Sequence, residues 1–157
     1  LLDLPGEKFA DGIAIPEIQH GIKMRSVTLT YPDGRVALKD VNFEAQLGKI
    51  VALVGPTGAG KTSLAYLIPS FLQPTSGKVT IDGVDVRDIS VPSLRKQVAY
   101  VFQETQLFSD SIADNIRYGN RAAAIEEVHD AAKTAGAHDF IMALPEGYDT
   151  NLGTITR

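Results

Sequence analysis

The sequence predicts an α/β fold, and three features carry that reading. The run Ile50-Val51-Ala52-Leu53-Val54 is apolar throughout, as in a strand buried on both faces of a parallel sheet. A glycine-rich turn follows, after which Leu64, Leu67, Ile68, Phe71 and Leu72 recur at i, i+3, i+4, i+7 and i+8, the stripe of an amphipathic helix. Strand-like runs lie on both sides of this unit, and helical periodicity fills the last third of the chain.

The elements follow in order. Residues 1–21 carry Pro5, Gly6, Gly12, Pro16 and Gly21 with little periodicity and read as a linker or arm. From Ile22, Met24, Ser26, Thr28 and Thr30 alternate with Arg25, Val27, Leu29 and Tyr31, a strand that stops at the turn Pro32-Asp33-Gly34. A second strand-like run covers Val41 to Leu47 and closes at Gly48. The helix opening near Gly60 meets Pro69, which predicts a kink or an early end. After the loop Gln73-Pro74-Thr75-Ser76-Gly77, Val79-Thr80-Ile81 and Val84-Asp85-Val86 flank Asp82-Gly83, a two-residue hairpin signal. Val98 to Phe102 reads as another short buried strand.

In the last third, Ile125, Val128, Ala132 and Ala135 share a helix face. Glu126 and Glu127 favour the N-terminus of that helix, and Gly136 suits its C-terminal cap. A short helix around Asp139–Leu144 ends at Pro145.

Composition narrows the class. The chain has 157 residues, 44% hydrophobic and 22% charged, which suits one globular domain with a core. Net charge is −4 and no dense Lys/Arg block occurs, unlike a dedicated nucleic-acid or membrane-surface binder. Cysteine is absent, which excludes disulfides and Cys-ligated metals. His20, His129 and His138 show no metal-ligand spacing. No run is long and apolar enough to cross a bilayer, so this piece taken alone reads as soluble.

The decisive feature is Gly55-Pro56-Thr57-Gly58-Ala59-Gly60-Lys61-Thr62, a match to G-x-x-x-x-G-K-[ST] at every defined position, with Ser63 next. Glycines let successive backbone N–H groups turn inward around an anionic oxygen, where a Cβ would obstruct the approach. The helix that follows adds unsatisfied N–H groups and a partial positive charge. Lys61 supplies a full charge for the β- and γ-phosphates, and the Thr62 hydroxyl is a Mg²⁺ ligand. The chemistry points to the phosphate tail of a nucleotide, with Mg²⁺.

Further residues choose among phosphate-loop proteins. Val27-Thr28-Leu29-Thr30-Tyr31, Ala37 to Phe43, and Pro74 to Gly83 resemble the corresponding segments of ABC transporter ATPases. The resemblance implies that Tyr31 stacks on adenine, a contact whose nucleic-acid analogue is worth roughly 1–3 kcal/mol. Gln103, after the run Val98 to Phe102, is similar to the family's Q-loop glutamine, implied to complete the Mg²⁺ shell and approach the attacking water. The stretch Leu107-Phe108-Ser109-Asp110-Ser111-Ile112-Ala113-Asp114-Asn115-Ile116-Arg117-Tyr118-Gly119 resembles exporter-type domains, whose membrane and ATPase parts usually share one polypeptide. Leu1 to Pro5 likewise looks like the tail of a linker leaving the last membrane helix.

The resemblance implies a P-loop NTPase core of ABC ATPase type, with an N-terminal antiparallel β subdomain and a helical subdomain, incomplete at the C-terminus. Residues 1–21 would be a linker from the transmembrane domain. Residues 22–157 would be a partial ATPase domain, with the Q-loop and helical subdomain at about 104–144. Implied partners are the transmembrane domains, through their coupling helices, and a second nucleotide-binding domain in a head-to-tail dimer, at the cytoplasmic face of a membrane.

The sequence contains no Leu-Ser-Gly-Gly-Gln signature and no run of four apolar residues before Asp-Glu. The family's signature, Walker B strand and switch histidine are expected beyond Arg157, which predicts marginal stability and no turnover for this piece alone. Its last residues, Leu152 to Arg157, also depart from the Val-Gly-Glu-Arg-Gly that exporters tend to carry after the segment matching Gly147 to Thr150. Two other readings share the phosphate loop: a soluble ABC-type ATPase of nucleic-acid repair or translation, and a nucleotide-binding fragment without catalysis.

Overall fold

The computed structural model describes residues 12–103 and 106–153. The chain forms two units, one ending at Tyr100 and the other beginning at Val101. The expected linker residues 1–11, and Thr154 to Arg157 of the divergent ending, lie outside the described residues.

The first unit is built on a four-stranded antiparallel sheet. Its strands are β1 (Gly21–Thr30), β2 (Val36–Gln46), β3 (Ser76–Ile81) and β4 (Val84–Asp85), in spatial order β2-β1-β3-β4. The two helices are α1 (Lys61–Leu67) and α2 (Val91–Gln97). The inner sheet face contributes Met24, Val27, Leu29, Leu38, Val79 and Ile81 to one core, joined by Leu64 and Leu67 of α1 and by Val86, Ile89 and Leu94. Asp82-Gly83 forms the expected hairpin turn, with Asp82 and Gly83 at φ 50° and 87°.

The alternation expected along β1 breaks in the middle. Met24 is buried, but so are Val27 and Leu29, so the inward parity switches between them. The cause is a bulge at Ser26, whose φ is 47° and where the register with both neighbouring strands slips. The Ser26 N–H left without a ladder partner donates instead to Asn42 Oδ1 at 3.1 Å.

Two further expectations need correction. Ile50 to Val54 is neither strand nor buried; all five residues are exposed and form no ladder among the described residues. An apolar run becomes a strand only when neighbours accept its backbone hydrogen bonds, and no described strand runs beside it. Val98 to Phe102 likewise forms no strand, and Tyr100 instead packs with Tyr66 and Phe71, ring centroids 5.4 and 5.8 Å away. Helix α1 stops at Leu67, the early end expected ahead of Pro69, and of its stripe Leu64 and Leu67 are buried while Phe71 is exposed.

The second unit is helical: α3 (Ile112–Arg117), α4 (Ile125–Thr134), α5 (His138–Met142) and a 3-10 turn at Gly147–Asp149. Ile112, Ala113, Val128, Ala132, Ile141 and Tyr148 form its core. The starts of α3 and α4 have local causes. Ser111 caps α3 by accepting from the Asp114 N–H at 3.0 Å, and Glu127 reaches back to the Ala124 N–H at 2.8 Å. Gly136, at φ 68°, ends α4 as expected. No helix among the described residues is long and apolar enough to cross a membrane.

Candidate phosphate-loop site

The loop Gly55 to Thr62 leads into α1 on the first unit. Gly55, Gly58 and Gly60 all take positive φ, at 153°, 83° and 86°, conformations that L side chains rarely adopt. The loop turns within itself through the Ala59 N–H, which donates to Pro56 O at 3.2 Å, and the first turn of α1 closes when Leu64 N–H donates to Gly60 O at 2.8 Å. Helix α1 begins at Lys61, so the amides of Lys61, Thr62 and Ser63 come before its first intrahelical donor, the Leu64 N–H. They form a donor-rich end.

Lys61 arches over the loop. Its ammonium donates to Gly55 O at 2.8 Å and to Pro56 O at 2.7 Å, which puts one full positive charge at the mouth of the turn. Thr62 is exposed, and its hydroxyl makes no hydrogen bond among the described residues. Ser63, the next residue, is only 9% exposed.

Tyr31 comes to this loop from the end of β1. Its backbone is fixed in the β1–β2 turn by the Tyr31 N–H donating to Arg35 O and the Gly34 N–H donating to Tyr31 O, both at 2.9 Å. Its hydroxyl lies 2.9 Å from Ser63 Oγ, and the Arg35 guanidinium sits 4.7 Å from its ring centroid. Arg35 is a residue the sequence reading does not single out. A cation four residues after an aromatic at a turn is the signal that could have flagged it.

Gln103 belongs to the second unit, where it is exposed in a segment that is neither helix nor strand. The structure thus gathers Tyr31 and residues 55–63 within one unit and holds Gln103 in the other. The second unit carries its own exposed aromatic surface. Phe108 and Tyr118 stack with centroids 4.0 Å apart and an interplanar angle of 15°, and the Arg121 guanidinium lies 5.1 Å from the Tyr118 ring. Asn115 fixes this loop to α3: its Oδ1 accepts from the Phe108 N–H at 2.9 Å and its Nδ2 donates to Phe108 O at 3.1 Å.

The remaining polar residues have structural partners. The Asp82 carboxylate accepts from the N–H groups of Gln19, His20 and Gly21, at 2.6, 2.9 and 2.8 Å. Burial pushes its pKa up, but these three donors together outweigh that and hold it below the ordinary aspartate value. Asp85 chelates Arg87, which lowers the Asp85 pKa through the guanidinium hydrogen bonds. His138 Nδ1 lies 2.9 Å from the Tyr148 hydroxyl, and the His129 ring packs 4.3 Å from the Tyr148 ring.

A glycine-rich loop of the pattern G-x-x-x-x-G-K-[ST], turned by positive-φ glycines and opening a helix, marks the phosphate-loop class of α/β domains. Comparison with known proteins makes the assignment specific. The family model for ABC transporters matches residues 38–152, and the chain belongs to that family. It is 43% identical over 145 residues to an ATP-dependent lipid A-core flippase of Syntrophus aciditrophicus (strain SB), covering 92% of this chain and 24% of that protein. It is 48% identical over 137 residues to the Beta-(1-->2)glucan export ATP-binding/permease protein NdvA of Brucella suis biovar 1 (strain 1330), covering 87% and 23%. Among solved structures it matches a bacterial Atm1-family ABC exporter with ATP bound, at TM-score 0.86 and 39% identity, over 92% of this chain and 25% of that one. The chain therefore spans about a quarter of the length of these relatives.

Proposed function

We propose that the chain is the ATP-binding portion of an ABC exporter, coupling ATP binding and hydrolysis in the longer protein to transport across a membrane. The observation that carries this is the positive-φ turn Gly55 to Gly60, with the Lys61 ammonium held 2.7–2.8 Å from two of its carbonyls. The fit to a triphosphate is chemical. The turn presents backbone donors and one cation, and no acidic side chain of the described residues lies in residues 55–63 to repel an anion.

In this reading the backbone N–H groups of the loop from Thr57 to Ser63 and the Lys61 ammonium hold the phosphates, while Thr62 ligates Mg²⁺ with help from Gln103. Mg²⁺ would neutralise phosphate charge when bound. Tyr31 offers its ring to adenine beside the Arg35 guanidinium. Hydrolysis needs a positioned water, a carboxylate and a second domain's signature motif, and the 157 residues contain neither Leu-Ser-Gly-Gly-Gln nor four apolar residues before Asp-Glu. This piece alone therefore holds nucleotide without meaningful turnover.

The second unit is the surface for the coupling helices of the transmembrane domains. Supporting this, Leu107, Phe108 and Tyr118 are 63%, 51% and 41% exposed on one short stretch. Residues 1–21 serve as the linker from those domains, a second nucleotide-binding domain pairs head to tail, and the assembly works at the cytoplasmic face of a membrane.

Calorimetric titration of MgATP into the purified chain tests the proposal, with Lys61→Ala as the comparison. Wild type should bind, and the variant should lose at least about tenfold in affinity, because a charge-assisted contact contributes roughly 1.5–3 kcal/mol. Binding unchanged in Lys61→Ala would refute the site.

A further inference from the structure

The hydroxyls of Tyr31 and Ser63 meet across 32 positions of sequence, 2.9 Å apart. The two residues have different expected roles: Tyr31 as the base platform and Ser63 as a member of the phosphate loop. We infer that the Tyr31 hydroxyl is a positioning group for the loop, setting the direction in which Ser63 donates toward phosphate. The inference rests on the nucleotide reading above and adds a function for the phenol that stacking does not need.

Three observations carry it. First, the pair is fixed at both ends. The Tyr31 backbone is held by two hydrogen bonds of the β1–β2 turn, and its ring is partly buried against the main core. Ser63 lies in the first turn of α1 and is 9% exposed, so its hydroxyl has little water to turn to. Second, the inventory of donors matters. A serine hydroxyl has one proton and two lone pairs. If the Tyr31 O–H donates to Ser63 Oγ, the serine proton is left for an acceptor, and the bond it receives polarises that proton for stronger donation. Third, Ser63 directly follows Thr62 and lies two residues after Lys61, so a rotation of its side chain acts within the same helical turn that faces the loop.

The bond also links the two ends of a nucleotide site mechanically. Displacing the Tyr31 ring would move the hydroxyl that holds Ser63, so base and phosphate recognition would not be independent. A purely stacking platform would use a phenylalanine equally well, whereas a positioning phenol would not.

The test separates these by using a ligand without a base. MgATP and inorganic tripolyphosphate with Mg²⁺ are titrated into the purified chain as wild type, Tyr31→Phe, Ser63→Ala and the double variant, each checked as folded by circular dichroism. Tyr31→Phe keeps the ring and removes only the oxygen. It should weaken tripolyphosphate about fivefold, the scale of one hydrogen bond. The double variant should be no weaker than Ser63→Ala alone, since both changes break the same bond.

Tripolyphosphate affinity unchanged in Tyr31→Phe, or losses that multiply in the double variant, would overturn the inference and leave the nucleotide reading standing. Wild type binding neither ligand would overturn the nucleotide reading itself, and the inference with it.

Discussion

Gly60 rests against Ala37: a Cβ built on it would lie 2.5 Å from the Ala37 carbonyl oxygen and 2.9 Å from Leu38 Cδ2. The approach ties the phosphate loop to β2 at the residue immediately before α1. Gly58 takes nearly the same φ, 83° against 86°, yet a Cβ there would meet nothing within 4 Å. The two glycines thus separate backbone strain from collision. Gly58→Ala should cost about 1–2 kcal/mol, the penalty of a left-handed conformation. Gly60→Ala adds a clash with backbone and should cost about 3 kcal/mol or more. Urea midpoints at constant slope read the difference. Equal losses would mean that β2 yields freely and that the contact does not position the loop.

Asp82 makes a second, pH-dependent tie. Its carboxylate receives three N–H groups from residues 19–21 where the chain enters β1, and its own N–H donates to Gly21 O at 3.0 Å. Burial raises the carboxyl pKa, the three donors more than reverse that, and the folded value lies below the ordinary one. A depressed folded pKa gives stability that is complete above the unfolded pKa, about 3.9, and lost as pH falls through the folded value. Asp82→Asn should therefore be less stable than wild type by about 1 kcal/mol near neutrality, at the low end because the group is solvated. The gap should close on acidification. A gap that persists unchanged into strong acid would show that the charge contributes nothing.

What the sequence makes legible follows from the range of the interaction. The glycine loop, the Asp82-Gly83 turn, the stop before Pro69 and the Gly136 cap are set by the φ and donor chemistry of a few adjacent residues, and each stands where the sequence places it. Helix α2 carried an unused signal of the same kind, with Ser90 before Val91 and Pro92 at the start and Arg95 and Lys96 in the last turn. Pairing is different. Ile50 to Val54 declares by its composition that it would favour burial, but composition cannot name the strand that would lie beside it.

The bulge at Ser26 and the Tyr31–Ser63 bond depend on partners elsewhere in the chain, Asn42 in the first case and a residue 32 positions away in the second. The second leaves no trace in local periodicity; the first does, since the apolar positions pass from Ile22 and Met24 to Val27, Leu29 and Tyr31. The backbone turn of the glycine loop was legible in its residues, and the bond from Tyr31 to Ser63 was not.

Thr62 offers the cleanest separation of metal from phosphate. It is exposed at the second position of α1, and among the described residues its hydroxyl makes no hydrogen bond, so removing the hydroxyl breaks none. Thr62→Ala should leave the urea midpoint within the equivalent of about 0.5 kcal/mol, as for an exposed surface change. If the hydroxyl ligates Mg²⁺, ATP affinity measured in EDTA should be the same for variant and wild type within about twofold, because Mg²⁺-free phosphate binding relies on the amides and Lys61. The gain in affinity on adding Mg²⁺ should shrink in the variant. Lys61→Ala should behave in the opposite sense and lose affinity under both conditions, since its charge acts on phosphate directly. A Thr62→Ala chain that keeps the full Mg²⁺ gain would place the ion on other ligands and remove Thr62 from the site.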